Sequence, residues 1–238
     1  MKTILHKAAT RGNANHGWLN SWHTFSFGSY HQNDRMHFGA LRVLNDDTVA
    51  PAMGFGSHPH DNMEIVSIPL AGDLEHKDNT GTKAVIKKGD VQIMSAGTGI
   101  VHSEKNASNT EGVKFLQIWI FPNKKNIAPR YDQKSFTDEE KNNRLATVVS
   151  PLGTNDGGVQ IQQEAWFHLG NLEKGTTLNY TVKKNGNGVY AFLLEGDVTI
   201  NDVALNRRDG LGITDTDSLK ITADSNAELL LVEVPLTF

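Results

Sequence analysis

Val66-Ser67-Ile68-Pro69-Leu70-Ala71-Gly72-Asp73-Leu74 is an apolar run, a Gly-Asp turn and the start of a second run. Short apolar runs closed by turn residues read as strands, since glycine reaches positive φ freely and Asp satisfies turn backbone. The same order of features returns at Ala191-Phe192-Leu193-Leu194-Glu195-Gly196-Asp197-Val198. A second echo links Lys87-Lys88-Gly89-Asp90-Val91 with Arg207-Arg208-Asp209-Gly210-Leu211. Working outward, strands are expected at 40–44, 63–70, 84–86, 91–94, 115–121 and 144–149. Others follow at 160–169, 177–182, 188–194, 197–200, 219–223 and 229–234. Thr137-Asp138-Glu139-Glu140-Lys141 is the best short helix start, an N-cap threonine with a glutamate three residues on. The chain therefore reads as all-β, a barrel or sandwich, with two similar β-barrel lobes joined by residues 122–143.

Composition narrows the chemistry. The 238 residues include 38% hydrophobic side chains, enough to build cores. Cysteine is absent, which excludes disulfides, thiolate zinc sites, iron–sulfur clusters and a cysteine nucleophile. A net charge of −4 without long basic runs offers no electrostatic footprint for direct nucleic-acid binding. The start, Met1-Lys2-Thr3-Ile4-Leu5-His6-Lys7, is charged and lacks a signal-peptide apolar stretch. No window approaches the ~20 apolar residues of a membrane span. The expectation is a soluble, cytoplasmic protein without a membrane partner.

The histidines are skewed, nine of the ten lying at or before His102. His58-Pro59-His60 and His102-Ser103-Glu104 both have i, i+2 spacing, which on a strand puts both side chains on one face. Two such strands facing one another inside a barrel would converge three imidazoles and a carboxylate, a donor set that suits a divalent cation. Pro59 lacks an N–H, so its segment should be an edge or irregular strand. Glu64, four residues after His60, is a second candidate carboxylate. A lone His-x-His is often structural; the His/Glu pair 42 residues after His60 is what raises the site above that alternative. His16, His23, His31 and His37 lack strand spacing and are expected to make structural hydrogen bonds. His76, after the Gly-Asp turn, is expected at the surface. Phe55, Met53 and Trp22 are candidates for pocket walls, with core packing as the ordinary alternative.

These segments resemble the pirin family. Gly54-Phe55-Gly56-Ser57-His58-Pro59-His60-Asp61-Asn62-Met63-Glu64-Ile65 is similar to the first cupin motif as pirins carry it, and the segment from Gly89 to Asn106 to their second. Arg11-Gly12, His23-Thr24-Phe25-Ser26-Phe27 and Gln117-Ile118-Trp119-Ile120-Phe121-Pro122 extend the likeness to about residue 136. The resemblance implies two cupin (jelly-roll β-barrel) domains, an N-terminal metal-binding one at 1–125 and a C-terminal cupin-like one without metal at 126–238. By position it implies His58, His60, His102 and Glu104 as metal ligands; the general cupin pattern would use Glu64 instead. One divalent transition metal is expected, Fe(2+) first, with Cu, Mn, Ni, Co or Zn as alternatives. Bacterial members are described as quercetinase-like dioxygenases, implying a flavonol-like substrate, O2, and Glu104 as both ligand and catalytic proton acceptor. Animal members are described as nuclear, metal-dependent cofactors of transcription factors. The competing expectation is therefore a metal- or redox-sensing protein acting on a protein partner.

Overall fold

A computed structural model describes residues 1–238. Four sheets form two lobes, each pairing a seven-stranded with a four-stranded sheet. The first large sheet runs β12 (Arg130–Ser135), β9 (Asp90–Ser95), β6 (Glu64–Ala71), β11 (Val113–Ile120), β4 (Leu41–Val49), β3 (Leu19–His23), β2 (Gly12–Asn15). Its small partner runs β5 (Gly54–His60), β10 (Ile100–Asn106), β7 (Leu74–Asp78), β8 (Lys83–Ile86). The second large sheet runs β1 (Lys2–His6), β20 (Gly210–Thr214), β17 (Asn187–Glu195), β22 (Ala227–Pro235), β15 (Trp166–Leu172), β13 (Ala146–Pro151), β14 (Val159–Ile161). Its small partner runs β16 (Thr177–Thr181), β21 (Ser218–Ala223), β18 (Asp197–Ile200), β19 (Val203–Asn206). The chain is all-β with two lobes, as expected; the one α-helix, α1 (Asp138–Lys141), has the capping box foreseen at Thr137 and Glu140. No helix is long and apolar enough to cross a membrane.

The sequence echoes mark equivalent corners. Each Gly-Asp turn carries the chain from the large sheet to the small one, β6 to β7 and β17 to β18, rather than folding a hairpin within one sheet. Gly72 (φ 72°) and Gly196 (φ 82°) are both left-handed. A Cβ would fall 2.9 Å from Gly112 O and 2.1 Å from Asn226 O respectively, so only glycine fits. The return corners match as well. Asp90 accepts from the Lys87 N–H at 2.8 Å, and Asp209 from the Asn206 N–H at 3.1 Å.

Two edge strands pass across residue 125. β1 pairs with β20 in the second lobe, and β12 pairs with β9 in the first. Each of these strands therefore lies across the division at 125 from the strand it pairs with. Strand polarity explains why they escape notice, since β12 is Arg-Tyr-Asp-Gln-Lys-Ser and an edge strand needs no apolar alternation. The strand expected at 160–169 is two strands. Between them Gln163 turns away to donate its Nε2 to Phe121 O at 2.7 Å.

The largest apolar cluster, 25 residues, lies between the lobes. Leu116, Ile118 and Ile120 of β11 and Val66 and Ile68 of β6 meet Leu230, Val232 and Val234 of β22 and Phe192 and Leu194 of β17. Alternate residues of those second-lobe strands, Leu229, Leu231, Val189, Ala191 and Leu193, fill that lobe's interior within a 16-residue cluster. The first lobe differs. The alternate residues of its large sheet are polar in the middle, with Asn45, Asp47, Ser67, Gln92 and Gln117 all buried. Two small clusters of six and four residues form the apolar part of that interior.

The second lobe buries one polar network. Glu233 accepts from Tyr180 Oη (2.6 Å), Asn187 Nδ2 (2.9 Å) and the Lys183 and Lys184 N–H groups. His168 joins it through Tyr180 Oη at 3.1 Å and Thr147 Oγ1 at 3.3 Å. Burial lowers the His168 pKa from an ordinary 6.5 to about 4. The unfolded chain therefore takes up this proton first, so the contribution is complete above pH ~6.5 and lost as pH falls toward ~4. Denaturant titrations of the wild type and His168→Gln at pH 7 and pH 4.5 should show less acid destabilisation in the variant. The difference should be on the order of 3 kcal/mol.

Candidate metal centre

β5 and β10 are neighbours in one sheet, not strands facing across the barrel as the sequence spacing led us to expect. They run antiparallel with His102 opposite His58 and Ile100 opposite His60. Side chains directly opposite in such a pair are ~5 Å apart, so the register alone brings imidazoles together. Ring centroids are 4.4 Å apart for His58–His102, 4.8 Å for His58–His60 and 5.0 Å for His60–His102. One nitrogen from each ring lies within 4.8 Å of the others. β5 is the sheet edge, as Pro59 requires. A bulge on β5 separates the His102 and Glu104 pairings and re-aims the strand beside the site.

The rings are prepared as metal ligands. His58 Nδ1 donates to Gly56 O at 2.8 Å, which leaves the Nε2 lone pair free. His102 is buried with both ring nitrogens unpartnered. Burial, reinforced by neighbouring histidines, lowers His102 to about 3 and His60 to about 4. At neutral pH both are neutral imidazoles, the form a metal binds. The buried, unpartnered nitrogens of His102 fit an ion and nothing in the protein substitutes for it.

Glu104 shares the His102 face of β10, two residues on. Its carboxylate accepts two bonds from Gln117 Nε2, at 2.9 and 3.0 Å, and one from Ser67 Oγ at 3.2 Å. It stands outside the 4.8 Å group but lines the same cavity as His58 and His60. Burial raises its pKa, while Gln117 and the nearby His76 and His58 oppose the rise. Glu64 lies on the opposite face of β6 from Ser67, turned toward the second lobe. It accepts from Ser95 Oγ at 2.7 Å and the Gln162 N–H at 3.1 Å, and burial raises it to about 7.

His76 is not on the surface. It is fully buried on β7 opposite Glu104, its ring 5.3 Å from that of His102. β10 lies between the edge strand and β7, so β7 is shielded. His76 Nε2 pairs with Asp78 Oδ2 at 2.9 Å, leaving Nδ1 unpartnered. Burial raises Asp78, but Thr80, His76 and Thr82 hydrogen bonds outweigh it and hold the carboxylate at about 2.

The cavity beside the triad encloses about 300 Å³. His60 meets Trp119 edge-on at 4.9 Å, Trp119 meets Phe27 at 5.4 Å, and Phe27 meets His23 at 5.2 Å. Of the proposed walls only Phe55 belongs. Met53 is exposed, and Trp22, on the outer face of β3, lies under the Arg11 guanidinium at 5.4 Å. His16 and His23 also line the cavity, and His23 Nδ1 makes no structural hydrogen bond. His31 and His37 do make such bonds, to Asn33 Oδ1 at 3.0 Å and Gly39 O at 2.9 Å. Asn45, Asp47, Gln117 and Trp119 were missed. Polar residues interrupting otherwise apolar strands were the available signal.

Fold and site together define a bicupin whose first lobe carries a three-histidine centre spaced for a metal ion. Residues 5–120 match the Pirin family model, and 147–234 match that of the Quercetinase C-terminal cupin domain. The chain belongs to the pirin family. Quercetin 2,3-dioxygenase of Escherichia coli (strain K12) is 44% identical over 97% of this chain and 98% of its own. A pirin-like protein of Caulobacter vibrioides is 41% identical over 93% of this chain and 95% of its own. The crystal structure of the bacterial pirin YhhW from Escherichia coli in complex with nickel(II) matches with a TM-score of 0.92 and 43% identity. It covers 98% of this chain and 99% of that one.

Isothermal titration with Ni(2+) should show one site in the wild type and in His31→Ala. His102→Ala should bind far more weakly, since one of the three converging imidazoles is gone.

Proposed function

We propose that the protein is a metal-dependent dioxygenase that opens the central ring of a flavonol such as quercetin with O2, releasing carbon monoxide. The observation that carries this is the convergence of three imidazoles, those of His58, His60 and His102, beside an aromatic cavity of about 300 Å³ that His58, His60 and the buried Glu104 line. That volume is at the small end of ligand pockets, suited to one flat molecule. The full-length likeness to the quercetin 2,3-dioxygenase of Escherichia coli (strain K12) supports the same reading.

His58, His60, His102 and Glu104 are the proposed ligands, with Fe(2+) the first candidate ion among several that nitrogen and oxygen donors accept. Held by these residues, the ion would supply a Lewis acid for the substrate's hydroxyl and carbonyl oxygens and a site for O2. The rest of the work falls to this chain's side chains. Phe27, Phe55 and Trp119 present edges and faces to a planar ring system and exclude water from it. Glu104, which as a ligand through one oxygen would keep the other free, takes the proton from the substrate hydroxyl. Gln117 and Ser67 hold that carboxylate in place. The deprotonated flavonol is the electron-rich form that reacts with O2.

The protein loaded with Fe(2+) under argon and then given oxygen should bleach quercetin absorbance and release carbon monoxide. Turnover should fall by more than ~100-fold in His58→Ala and Glu104→Gln, beyond the loss that an outer hydrogen-bonding partner causes. Absence of turnover with iron, copper, manganese, nickel and cobalt alike would sink the proposal. Metal analysis of Glu104→Gln and Glu64→Gln tests the ligand set separately. Binding lost only in the latter would reverse the assignment.

A further inference from the structure

The wall of the cavity opposite the imidazoles holds polar groups that the fold leaves unsatisfied. By strand register His23 lies beside Asn45, Asn45 beside Gln117 and Gln117 beside Ser67, forming one row across β3, β4, β11 and β6. Ser21 and Asp47 form the next row. At the β6 end the row is consumed by Glu104, which takes Ser67 and Gln117 as donors. At the β3 end nothing takes it up. His23, Asn45 and Asp47 are 4%, 3% and 3% exposed, yet His23 Nδ1, Asn45 Oδ1 and Asp47 Oδ1 have no hydrogen-bond partner.

Ten buried polar side-chain atoms in the whole protein lack a partner, and four of them belong to residues lining this one cavity, Trp119 Nε1 being the fourth. Scattered packing defects would not collect in this way. An unpartnered buried polar group destabilises the fold, and such groups persist where function uses them.

We propose that Asp47, Asn45 and His23 form a hydroxyl-recognising subsite of the metal cavity, selecting aromatic ligands that carry a phenolic hydroxyl remote from their metal-binding oxygens. The two oxygen acceptors call for a donor, and an aromatic hydroxyl is a donor that a cavity lined by Phe27, Phe55 and Trp119 admits. A carboxylate or phosphate offers only acceptors and cannot satisfy these oxygens. Phe27 and Leu19 flank the same wall and favour a ring as the hydroxyl's carrier. The inference rests on the flavonol reading above and adds to it which part of the ligand is read and by which residues.

The test is equilibrium binding to the Ni(2+)-loaded protein under argon, where no turnover occurs, followed by tryptophan quenching and calorimetry. Quercetin is compared with 3-hydroxyflavone, which keeps the chelating hydroxyl–carbonyl pair and lacks every other hydroxyl. The wild type should bind quercetin at least about tenfold more tightly, equivalent to ~1.4 kcal/mol. In Asp47→Leu the ratio should fall below about threefold, with 3-hydroxyflavone affinity unchanged. Its Tm should equal or exceed that of the wild type, because a buried carboxyl whose Oδ1 has no partner is removed. Asn45→Leu and Asp47→Ala, which each remove one acceptor oxygen and are expected to narrow the ratio likewise, carry the test if Asp47→Leu does not fold. Equal binding of the two flavonols by the wild type, or an undiminished ratio in every variant that folds, overturns the subsite and leaves the flavonol reading standing. If neither flavonol binds, the flavonol reading falls and the subsite with it.

Discussion

The outward faces of the two seven-stranded sheets meet through a continuous apolar cluster, and the rest of the structure depends on that contact. A jelly-roll lobe ordinarily stabilises itself by filling the space between its own two sheets. Here 25 buried apolar residues lie between the lobes instead, each fully buried large side chain contributing ~1.5–3 kcal/mol of transfer free energy. The first lobe is thereby relieved of the need for a solid interior. It keeps apolar clusters of only six and four residues and uses the middle for histidine, carboxyl and amide side chains. The second lobe keeps a 16-residue interior and supplies the surface against which the first is held.

The contrast is sharpest at equivalent strands. β5 and β10 of the first lobe correspond in sheet order to β16 and β21 of the second. Where the first pair turns His58, His60, His102 and Glu104 inward, the second turns Tyr180, Leu219, Ile221 and Ala223 into an apolar cluster. One scaffold thus houses a reactive interior and an inert one, and the alternation of side chains along four strands makes the difference. Burial also sets the protonation of the first interior. It keeps imidazoles neutral and raises the Glu104 and Asp47 carboxyls, Asp47 to about 7.

Much of this was legible from residues alone. Apolar runs located the central strands, because those are packed on both faces and must be apolar or alternating. The twin Gly-Asp corners and their matching return loops showed the duplication. Polar edge strands such as β12, and β1 crossing to the other lobe, were not legible, since an edge strand carries little hydrophobic pattern and its partner lies far away in sequence. The histidine cluster was visible as two i, i+2 pairs, but the arrangement inferred from it, strands facing across a barrel, was replaced by neighbours in one sheet. His76 was assigned to the surface because it follows the Gly-Asp turn, and only the strand order shows that β7 is covered.

The sequence by itself establishes that the chain is β throughout, that it holds two similar units, and that without thiols any metal site must draw on histidine and carboxylate. These follow from residue type and local spacing, which act over a few residues. Tertiary structure decided which carboxylate faces the imidazoles. In the sequence Glu104 is the partner of His102 and Glu64 the second candidate; the parity of β6 turns Glu64 toward Ser95 and Gln162 and leaves Glu104 beside Gln117. It also placed Asn45 and Asp47 in the cavity, because a cross-strand neighbour is fixed by register between distant segments, and register is set only when the sheets pack.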